Sequence, residues 1–455
     1  MPDYLTLWEL LHHTFSFLDK ASNARNARVC RAWTEPALDQ VWTLSDHFFA
    51  KIGTASYRTS DEYIVFALSP MEAQWLSSRK RRYTKLQQLG QTLPFSLDFN
   101  VWKANLRDIL WMARHVVNRM PLIRHICIEA RKLSQPGVVD QLCCLVRDLS
   151  RLETIDLPPP CLQSSLVSSF SRLEHLRTVS IGVLPVAQGE LSKFLGDLVV
   201  HDMEPCAFPS LNALSFIASS LEDAAKLLSS PQLTISQLTS VRLCATFPVP
   251  RNPGYLRDFL TTISIGCTSL DELDIYLEPA SEIMKEKAER IRSLNFGDII
   301  SLLQFQRLTK FTIRDARPIR ITDEEISQLA ERWPSLQKLS LNPCPALFSP
   351  PSLSLRALIA FAQHCSELTE LGLCLDCDPP IHFDLSRSSV SFHKLSLLDL
   401  GASHISKSQS QSLRVNAALF LSRLVRKSTE IKSLYNPHMQ KVIRMVTSAL
   451  GGKAS

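Results

Sequence analysis

The stretch CLDC contains Cys374 and Cys377, two possible metal ligands separated by two residues. Three further possible ligands, His364, Cys365 and His382, lie nearby in sequence. Thiolates and imidazoles are the usual zinc ligands, and a structural zinc site needs four of them in a tetrahedral arrangement. The chain contains no second C-x-x-C. The stretch is therefore a candidate zinc site without the usual second pair of thiols.

The leucines around this stretch favour a structural interpretation of the cysteines. Leu371, Leu373 and Leu375 alternate along the sequence, as the buried residues of a strand do, so Cys374 should point to the opposite face. We therefore predict no metal site and no cofactor. The twelve cysteines lie mostly in apolar segments and are predicted to be reduced, buried side chains.

A second chemically distinctive stretch is the basic run SSRKRRYTK, residues 77–85. Arg79, Lys80, Arg81 and Arg82 would suit a nuclear import signal or a phosphate-binding patch. Such a run is also typical of the solvated end of a helix. Because the whole chain has a net charge of only +6, we predict a surface feature and no nucleic-acid binding.

Motifs of the common enzyme classes are absent from the sequence. Its 13 glycines form no G-x-G-x-x-G and no P-loop, and neither H-E-x-x-H nor G-x-S-x-G occurs. The N-terminus lacks the basic stretch of a secretory signal, and no apolar run is long enough to span a membrane. We therefore expect a protein that is no enzyme and has no membrane partner. We expect it in the cytoplasm, or in the nucleus if the basic run is an import signal.

A six-residue pattern with apolar residues at positions 1, 4 and 6 organises most of the chain. Positions 4 and 6 share one face of a strand, so each copy predicts a short strand with one buried face. Successive copies start 24 to 38 residues apart, and a broken eleventh copy, IKSLYN (431–436), follows the last. The copies are IRHICI (123–128), LETIDL (152–157), LRTVSI (176–181), LNALSF (211–216), LTSVRL (238–243), LDELDI (270–275), LTKFTI (308–313), LQKLSL (336–341), LTELGL (368–373) and LSLLDL (395–400).

Helical signals fill many of the gaps between these strands. Thr322 and Glu325 have the spacing of a capping box, and Ile326 and Leu329 follow at helical intervals. The α/β repeat resembles an irregular leucine-rich-repeat solenoid, with a parallel sheet on the concave face and helices outside. The asparagine or cysteine that these repeats carry three residues past the strand appears only as Cys344. The alternative is an ordinary α/β sheet whose strands happen to share L-x-x-L.

The first forty-odd residues precede the repeat and hold many large apolar side chains. LTLWELLHHTFSFLD and NARNARVCRAW have apolar residues at helical spacing, and Pro36 favours a break before a third short helix. Three short helices cannot enclose so many large side chains by themselves. Part of this surface must contact the solenoid or a partner.

The stretch FSFLD…VCRAWTEPALDQVW resembles an F-box, although Thr6–Leu7 and Thr14 replace the usual leucine–proline and the usual isoleucine or valine. The phrases SPMEAQW (69–75), TDEEISQLAERWPSLQKLSL (322–341), CSELTELGL (365–373) and ALFLSRLVRKSTEIKSL (418–434) are similar to F-box proteins with irregular leucine-rich repeats from mushroom-forming (basidiomycete) fungi. The residues that match the F-box are Glu9, Leu10, Phe15, Leu18, Val29, Cys30, Trp33 and Trp42.

This resemblance implies an adaptor without catalytic residues of its own. In that family the F-box binds the Skp-type adaptor of an SCF ubiquitin ligase and, through it, cullin, while the solenoid holds a protein substrate. The alternative is a leucine-rich-repeat scaffold unrelated to ubiquitin, with the N-terminal helices as the cap of the solenoid. The implied adaptor-binding residues are Leu7, Glu9, Leu10, Phe15, Leu18, Val29, Cys30 and Trp33.

The substrate contacts are predicted on the face of the sheet opposite the buried positions. The third and fifth residues of each copy point to this face, and the seventh extends it by one step. Neighbouring charges could instead pair with one another, Glu272 with Lys310 and Lys338 with Glu370, as a solvated ladder. A tyrosine and an arginine favour a binding function because both types are enriched at hot spots. The predicted substrate-binding residues are Glu272, Asp274, Tyr276, Lys310, Arg314 and Lys338.

These features divide the chain into four segments. Its 455 residues are too many for one small compact domain. We predict an F-box over 1–46, a helical linker or N-terminal cap over 47–120, a leucine-rich-repeat solenoid over 121–436, and a C-terminal tail over 437–455.

Overall fold

The structure is a computed structural model in which the chain forms two compact units. The first unit holds Met1–Ile123 and Cys127–Glu129, and the second holds Arg124–Ile126 and Ala130–Ser455. The described residues are 11, 13–15, 17–26, 29, 64–67, 95–100, 123–129, 138–157, 164–181, 207–218, 220–247, 254–279, 293–347, 350–378, 390–405, 411–434 and 437–451.

The first unit contains the helix α1, Lys20–Asn26. Asp19 caps its start, because the Asp19 carboxylate accepts hydrogen bonds from the backbone N–H and the hydroxyl of Ser22, both at 2.8 Å. The side-chain amide of Asn23 donates to the carbonyl of Phe15 at 2.8 Å. This hydrogen bond ties the preceding helical turn to α1. The predicted third helix, after Pro36, lies outside the described residues.

The first unit also contains two strands, β1 (Ile64–Ala67) and β2 (Phe95–Asn100), which pair in parallel. Both lie in the range 47–120, which the sequence analysis predicts as a helical linker or N-terminal cap, and the other residues of that range lie outside the described residues. The strand sequences IVFA and FSLDFN are rich in β-branched and aromatic residues, which favour extended structure.

The second unit is built on a parallel sheet of eleven strands, in the order β3–β4–β5–β6–β7–β8–β10–β12–β14–β16–β17. The remaining strands pair separately, β9 with β11 and β13 with β15. The strands are β3 (Ile123–Glu129, shared between the units), β4 (Thr154–Leu157), β5 (Thr178–Ile181), β6 (Ala213–Ala218), β7 (Ser240–Phe247), β8 (Glu272–Pro279), β9 (Leu294–Asn295), β10 (Lys310–Arg314), β11 (Ile319–Arg320), β12 (Lys338–Leu341), β13 (Leu353–Ser354), β14 (Glu370–Leu373), β15 (Leu375–Asp376), β16 (Leu397–Asp399) and β17 (Glu430–Lys432).

Helices connect most of these strands, as the repeat predicts. The capping box of Thr322 and Glu325 is confirmed, and Ile326 and Leu329 are buried. Trp333 at the end of this helix packs edge-on against Phe311 of β10, with ring centroids 5.8 Å apart. The helices are α2 (Val138–Arg147), α3 (Ser164–Phe170), α4 (Leu221–Leu228), α5 (Tyr255–Gly266), α6 (Phe296–Ile299), α7 (Asp323–Arg332), α8 (Ala357–His364), α9 (Gln411–Leu424) and α10 (Pro437–Ala449).

The predicted burial pattern of the strands is confirmed. In the nine copies from LETIDL to LSLLDL, the residues at positions 1, 4 and 6 are all buried. Positions 3 and 5 therefore face the other side of the sheet, which we call the open face. The pattern predicts these strands well because successive side chains of a strand point to opposite faces, so burial alternates with a period of two residues.

Hydroxyl side chains at position 2 link successive repeats. Thr309 donates from its hydroxyl to the carbonyl of Asp271 at 3.0 Å, and Thr369 donates to the carbonyl of Gln337 at 2.9 Å. Ser396 continues the series by donating to the carbonyl of Thr369 at 2.9 Å. These hydrogen bonds satisfy backbone carbonyls where the chain enters each strand.

The eleventh repeat begins three residues earlier than the sequence analysis predicts. Ile431 pairs with Leu398 in the sheet, so it occupies position 4 of its copy and not position 1. The copy therefore reads STEIKS, and Thr429 takes the position-2 role by donating to the carbonyl of Leu395 at 2.8 Å. The apolar pattern predicts the wrong first residue for this copy because Ile431 is its only apolar residue.

The C-terminal segment contains the helix α10, which the sequence analysis did not predict. Its residues Met439, Val442 and Val446 are buried at helical spacing, and it packs against α9. Among the described residues, no helix is long and apolar enough to cross a membrane.

Candidate functional site

The strand register brings the predicted substrate-binding residues together on the open face. Position 3 forms a row in which Glu272, Lys310, Lys338 and Glu370 are successive neighbours. Since adjacent strands lie about 4.8 Å apart, long side chains in such a row can pair with each other. Tyr276 and Arg314 are also partners, one step further along their strands.

Asp274 is part of this surface by position, but it is not available to a partner. Its side chain is only 6% exposed, and its Oδ2 lies 2.7 Å from Lys310 Nζ and 3.2 Å from Arg242 Nε. Asp274 is thus a member of an ion-pair cluster within the sheet. Alternation places the residue on the open face but does not reveal that the two cations cover it.

The electrostatics of this cluster favour the ionised carboxylate. Burial would raise the pKa of Asp274, but the hydrogen bond and charge of Lys310, together with the charge of Arg242, lower the pKa below its ordinary value of 3.8. A carboxyl whose pKa is lower in the folded state stabilises the fold above its unfolded-state pKa. That contribution is lost as the pH falls through the folded-state pKa.

We expect Asp274→Asn to lower the free energy of unfolding by roughly 1–3 kcal/mol at pH 7, since it removes a buried, hydrogen-bonded charge. The difference from the wild type should shrink as the pH falls below about 3.8. Urea denaturation at several pH values measures both effects. The control is Glu430→Gln. Glu430 forms an ion pair with Lys432 in which both side chains are more than half exposed, so this substitution should change the free energy of unfolding by less than about 0.5 kcal/mol. An equal loss in both variants would contradict the special role of Asp274.

The predicted cross-strand ion pairs are present. Lys338 Nζ lies 2.5 Å from Glu370 Oε2, and Lys310 Nζ lies 4.0 Å from Glu272 Oε2. Both lysines therefore already have carboxylate partners within the sheet. Their charges are largely compensated, so they contribute less to an attraction for an acidic partner than their number suggests.

Arg314 differs from these lysines. It is exposed, and none of the described carboxylates lies within ion-pair distance of it. Its guanidinium carbon lies 5.2 Å from the centroid of the Tyr276 ring. This cation–π contact holds the arginine over an aromatic face and leaves its N–H groups free to bind a carboxylate.

A buried polar cluster fixes the chain directly after Arg314. Arg317 Nη2 lies 2.6 Å from Asp315 Oδ2, and both side chains are almost inaccessible to solvent. The side-chain amide of Asn342 donates to the carbonyl of Arg317 at 2.6 Å and accepts from the N–H of Asp315 at 3.2 Å. Because the charges are paired and hydrogen-bonded, burial is tolerated. In the sequence nothing distinguishes Asp315 and Arg317 from exposed surface charges, so the sequence does not predict this buried ion pair.

The cysteines of the CLDC stretch are packing residues. Leu371, Leu373 and Leu375 are buried, and so is Cys377. Burial, with a smaller effect of Cys344, raises the pKa of the Cys374 thiol to about 12. A thiol with such a pKa remains protonated near neutral pH and is a poor nucleophile.

The structure instead brings together Asp376, Asp378 and His404, whose side-chain ligand atoms lie within 4.8 Å of one another. Sequence reasoning did not connect these residues, and His382 lies outside the described residues. The backbone N–H groups of Cys377 and His404 bond across the same two segments, to the carbonyls of His404 and Leu375. The cluster therefore joins the segments that follow β14 and β16.

The implied adaptor-binding residues are described only in part. Phe15 is 2% exposed, whereas Leu18 is 42% and Val29 is 62% exposed. Phe17, which the sequence analysis did not single out, is 76% exposed. The other implied contacts, Leu7, Glu9, Leu10, Cys30 and Trp33, lie outside the described residues, as does the basic run 77–85.

Comparisons with known proteins locate similarity only at the level of structure. No protein-family model and no curated protein matches the chain. A chain in the crystal structure of the Rad7–Elc1 complex of yeast is 13% identical, with a TM-score of 0.40, over 75% of this chain and 91% of that chain. A chain in the crystal structure of the TLR13–ssRNA13 complex is also 13% identical, with a TM-score of 0.29, over 76% of this chain and 53% of that chain. At these TM-scores neither likeness informs function, and the repeat fold is established by the strand order and register of the chain itself.

Proposed function

We propose that the chain is the substrate-recognition adaptor of an SCF-type ubiquitin ligase. In this proposal the N-terminal segment binds a Skp-type adaptor and, through it, cullin, while the open face of the solenoid binds a protein substrate. Catalysis belongs to the partners. The protein acts by proximity, because holding a substrate beside a ubiquitin-conjugating enzyme raises the effective concentration of its lysines.

The exposure of apolar side chains near the N-terminus is the observation that carries the proposal. Phe17, Leu18 and Val29 are all exposed within a segment of 13 residues that resembles an F-box. Single exposed apolar residues are common on protein surfaces, but a group of them is typical of a surface that binds a partner. The burial of Phe15 suits either an F-box core or a cap on the solenoid.

The pairing of Arg314 with Tyr276 supports the second half of the proposal. Arginine and tyrosine contribute strongly to protein interfaces when they are held in place before binding. Here the stack and the buried cluster after Arg314 provide that support. An acidic segment of the substrate is the complementary partner for this cation.

Proximity labelling with the full chain fused to a promiscuous biotin ligase tests the proposal. The wild type should label a Skp-type adaptor and a cullin, and Leu18→Glu combined with Val29→Glu should reduce that labelling at least about tenfold. Proteins bound by the solenoid should be labelled equally by both forms. If the wild type labels solenoid partners but neither the adaptor nor the cullin, the chain is a scaffold unrelated to ubiquitin.

A further inference from the structure

A cavity of about 840 Å³ lies beside the early repeats, away from the surface assigned to the substrate. It is formed by the end of α2, the turn that follows it, the helix α3 and the loop that leads to β5. The described lining residues are Arg147, Ser150, Arg151, Ser165, Ser168, Ser169, Arg172, Leu173, Glu174 and His175. We call this space the arginine cavity.

The charge of the arginine cavity is strongly unbalanced. Three arginines line it, and Glu174 is the single carboxylate among its described residues. Throughout the described segments, no carboxylate lies within ion-pair distance of Arg147 or Arg151. By contrast, the buried Arg317 and the open-face Arg242 are paired with aspartates. Two arginines without a described carboxylate partner, Arg147 and Arg151, on the lining of one space favour an anion there.

The hydroxyl groups of the cavity restrict the kind of anion. Four serines line it, and the hydroxyls of Ser150, Ser165 and Ser168 donate to no acceptor among the described residues. Guanidinium forks and free hydroxyl donors together match the tetrahedral oxygens of a phosphate group. Leu173 is the one apolar side chain in the described lining, so the cavity does not suit an apolar ligand.

We infer that the arginine cavity binds a phosphate-bearing ligand, either a small polyphosphate or a phosphorylated peptide. Nucleic acid is a poor fit because the described lining offers no phenylalanine, tyrosine or tryptophan on which bases could stack. The inference does not depend on the proposed role in ubiquitin ligation, since these residues lie on other elements than the adaptor and substrate surfaces.

Titration calorimetry with the full chain tests this inference, with inorganic pyrophosphate as the first probe. A peptide carrying two phosphoserines and its unphosphorylated form are the second and third probes. We expect saturable binding of pyrophosphate that weakens as salt increases. Tighter binding of the phosphopeptide than of pyrophosphate would assign the ligand to a modified protein. Equal or weaker binding would assign it to a small polyphosphate.

Two variants connect binding to the cavity. Combining Arg147→Gln, Arg151→Gln and Arg172→Gln should weaken pyrophosphate binding at least about tenfold. Ser165→Glu, at an exposed position, should weaken it as well by placing a carboxylate in the lining. The matched control combines Arg332→Gln, Arg423→Gln and Arg426→Gln, which removes the same charge at exposed positions elsewhere. Absent binding to the wild type, or an equal loss in the control, would overturn the inference.

Discussion

Replacing Gly401 by alanine is expected to lower the free energy of unfolding by roughly 3–5 kcal/mol. Gly401 has a φ of +43°, a conformation that costs a residue with a Cβ about 1–2 kcal/mol. A Cβ at this position would also lie 1.9 Å from the carbonyl oxygen of Pro343, and this backbone atom cannot move aside as a side chain can. The two costs should add because they arise from separate contacts.

The loss should spread to two neighbouring repeats. The N–H of Ala402 donates to the carbonyl of Pro343 at 2.8 Å, and the N–H of Leu434 donates to the carbonyl of Gly401 at 2.8 Å. Displacing Gly401 therefore weakens the link between the loop after β12 and the end of β17. Urea denaturation gives the total effect, and amide hydrogen exchange should show faster opening of these segments than of β4 and β5.

Gly451 provides a matched control for this substitution. It also has a positive φ, +72°, but a Cβ there would meet no atom within 4 Å. Gly451→Ala should therefore cost only about 1–2 kcal/mol. Equal losses in the two variants would show that the contact with Pro343 does not determine the role of Gly401.

The sequence predicts the strands of this protein well and its loops poorly. Burial at positions 4 and 6 is a local property, so the six-residue pattern locates the strands β4 to β8, β10, β12, β14 and β16 of the main sheet. The capping box of α7 is local too. In contrast, the need for glycine at position 401 depends on the path of a loop that begins at Asn342. Nothing in the residues around Gly401 indicates that contact.

For the candidate site on the open face, the sequence predicts where the residues lie but not which contacts their side chains make. Alternation correctly assigns Lys310, Arg314 and Asp274 to the side of the sheet opposite the core. It does not show that Lys310 and Arg242 bury the Asp274 carboxylate, because that depends on side chains from three strands. It also cannot show that Arg314 is held by Tyr276. The structure therefore separates a buried carboxylate within the sheet, Asp274, from an exposed guanidinium, Arg314.

Reversing the charge of Arg314 is expected to reduce capture of the substrate more than about tenfold. The substitution Arg314→Glu replaces an exposed cation without a described carboxylate partner by an anion that repels an acidic segment. Tyr276→Ala, which removes the stacking partner, should weaken capture by a smaller factor. The measurement is the amount of a protein, identified by proximity labelling, that co-purifies with each variant.

The variants for this experiment must reverse a charge without destabilising the sheet. Lys310→Glu is unsuitable because it would place a second carboxylate beside the buried Asp274 and destabilise the sheet. Arg332→Glu, at an exposed position on α7, makes the same charge change outside the open face. Capture that survives Arg314→Glu, or that falls equally in Arg332→Glu, would mean that the substrate binds elsewhere, with the loops as the next surface to test.

The central claim is that the N-terminal segment binds a Skp-type adaptor, and light scattering on purified proteins separated by size tests it most directly. The full chain mixed with the adaptor is predicted to elute as a complex of one copy of each. Leu18→Glu combined with Val29→Glu should abolish that complex, since both side chains are exposed. Ile265→Glu combined with Ile300→Glu, a matched pair of exposed apolar residues in the second unit, should leave it intact. Separate elution of the adaptor and a folded wild-type chain would contradict the claim.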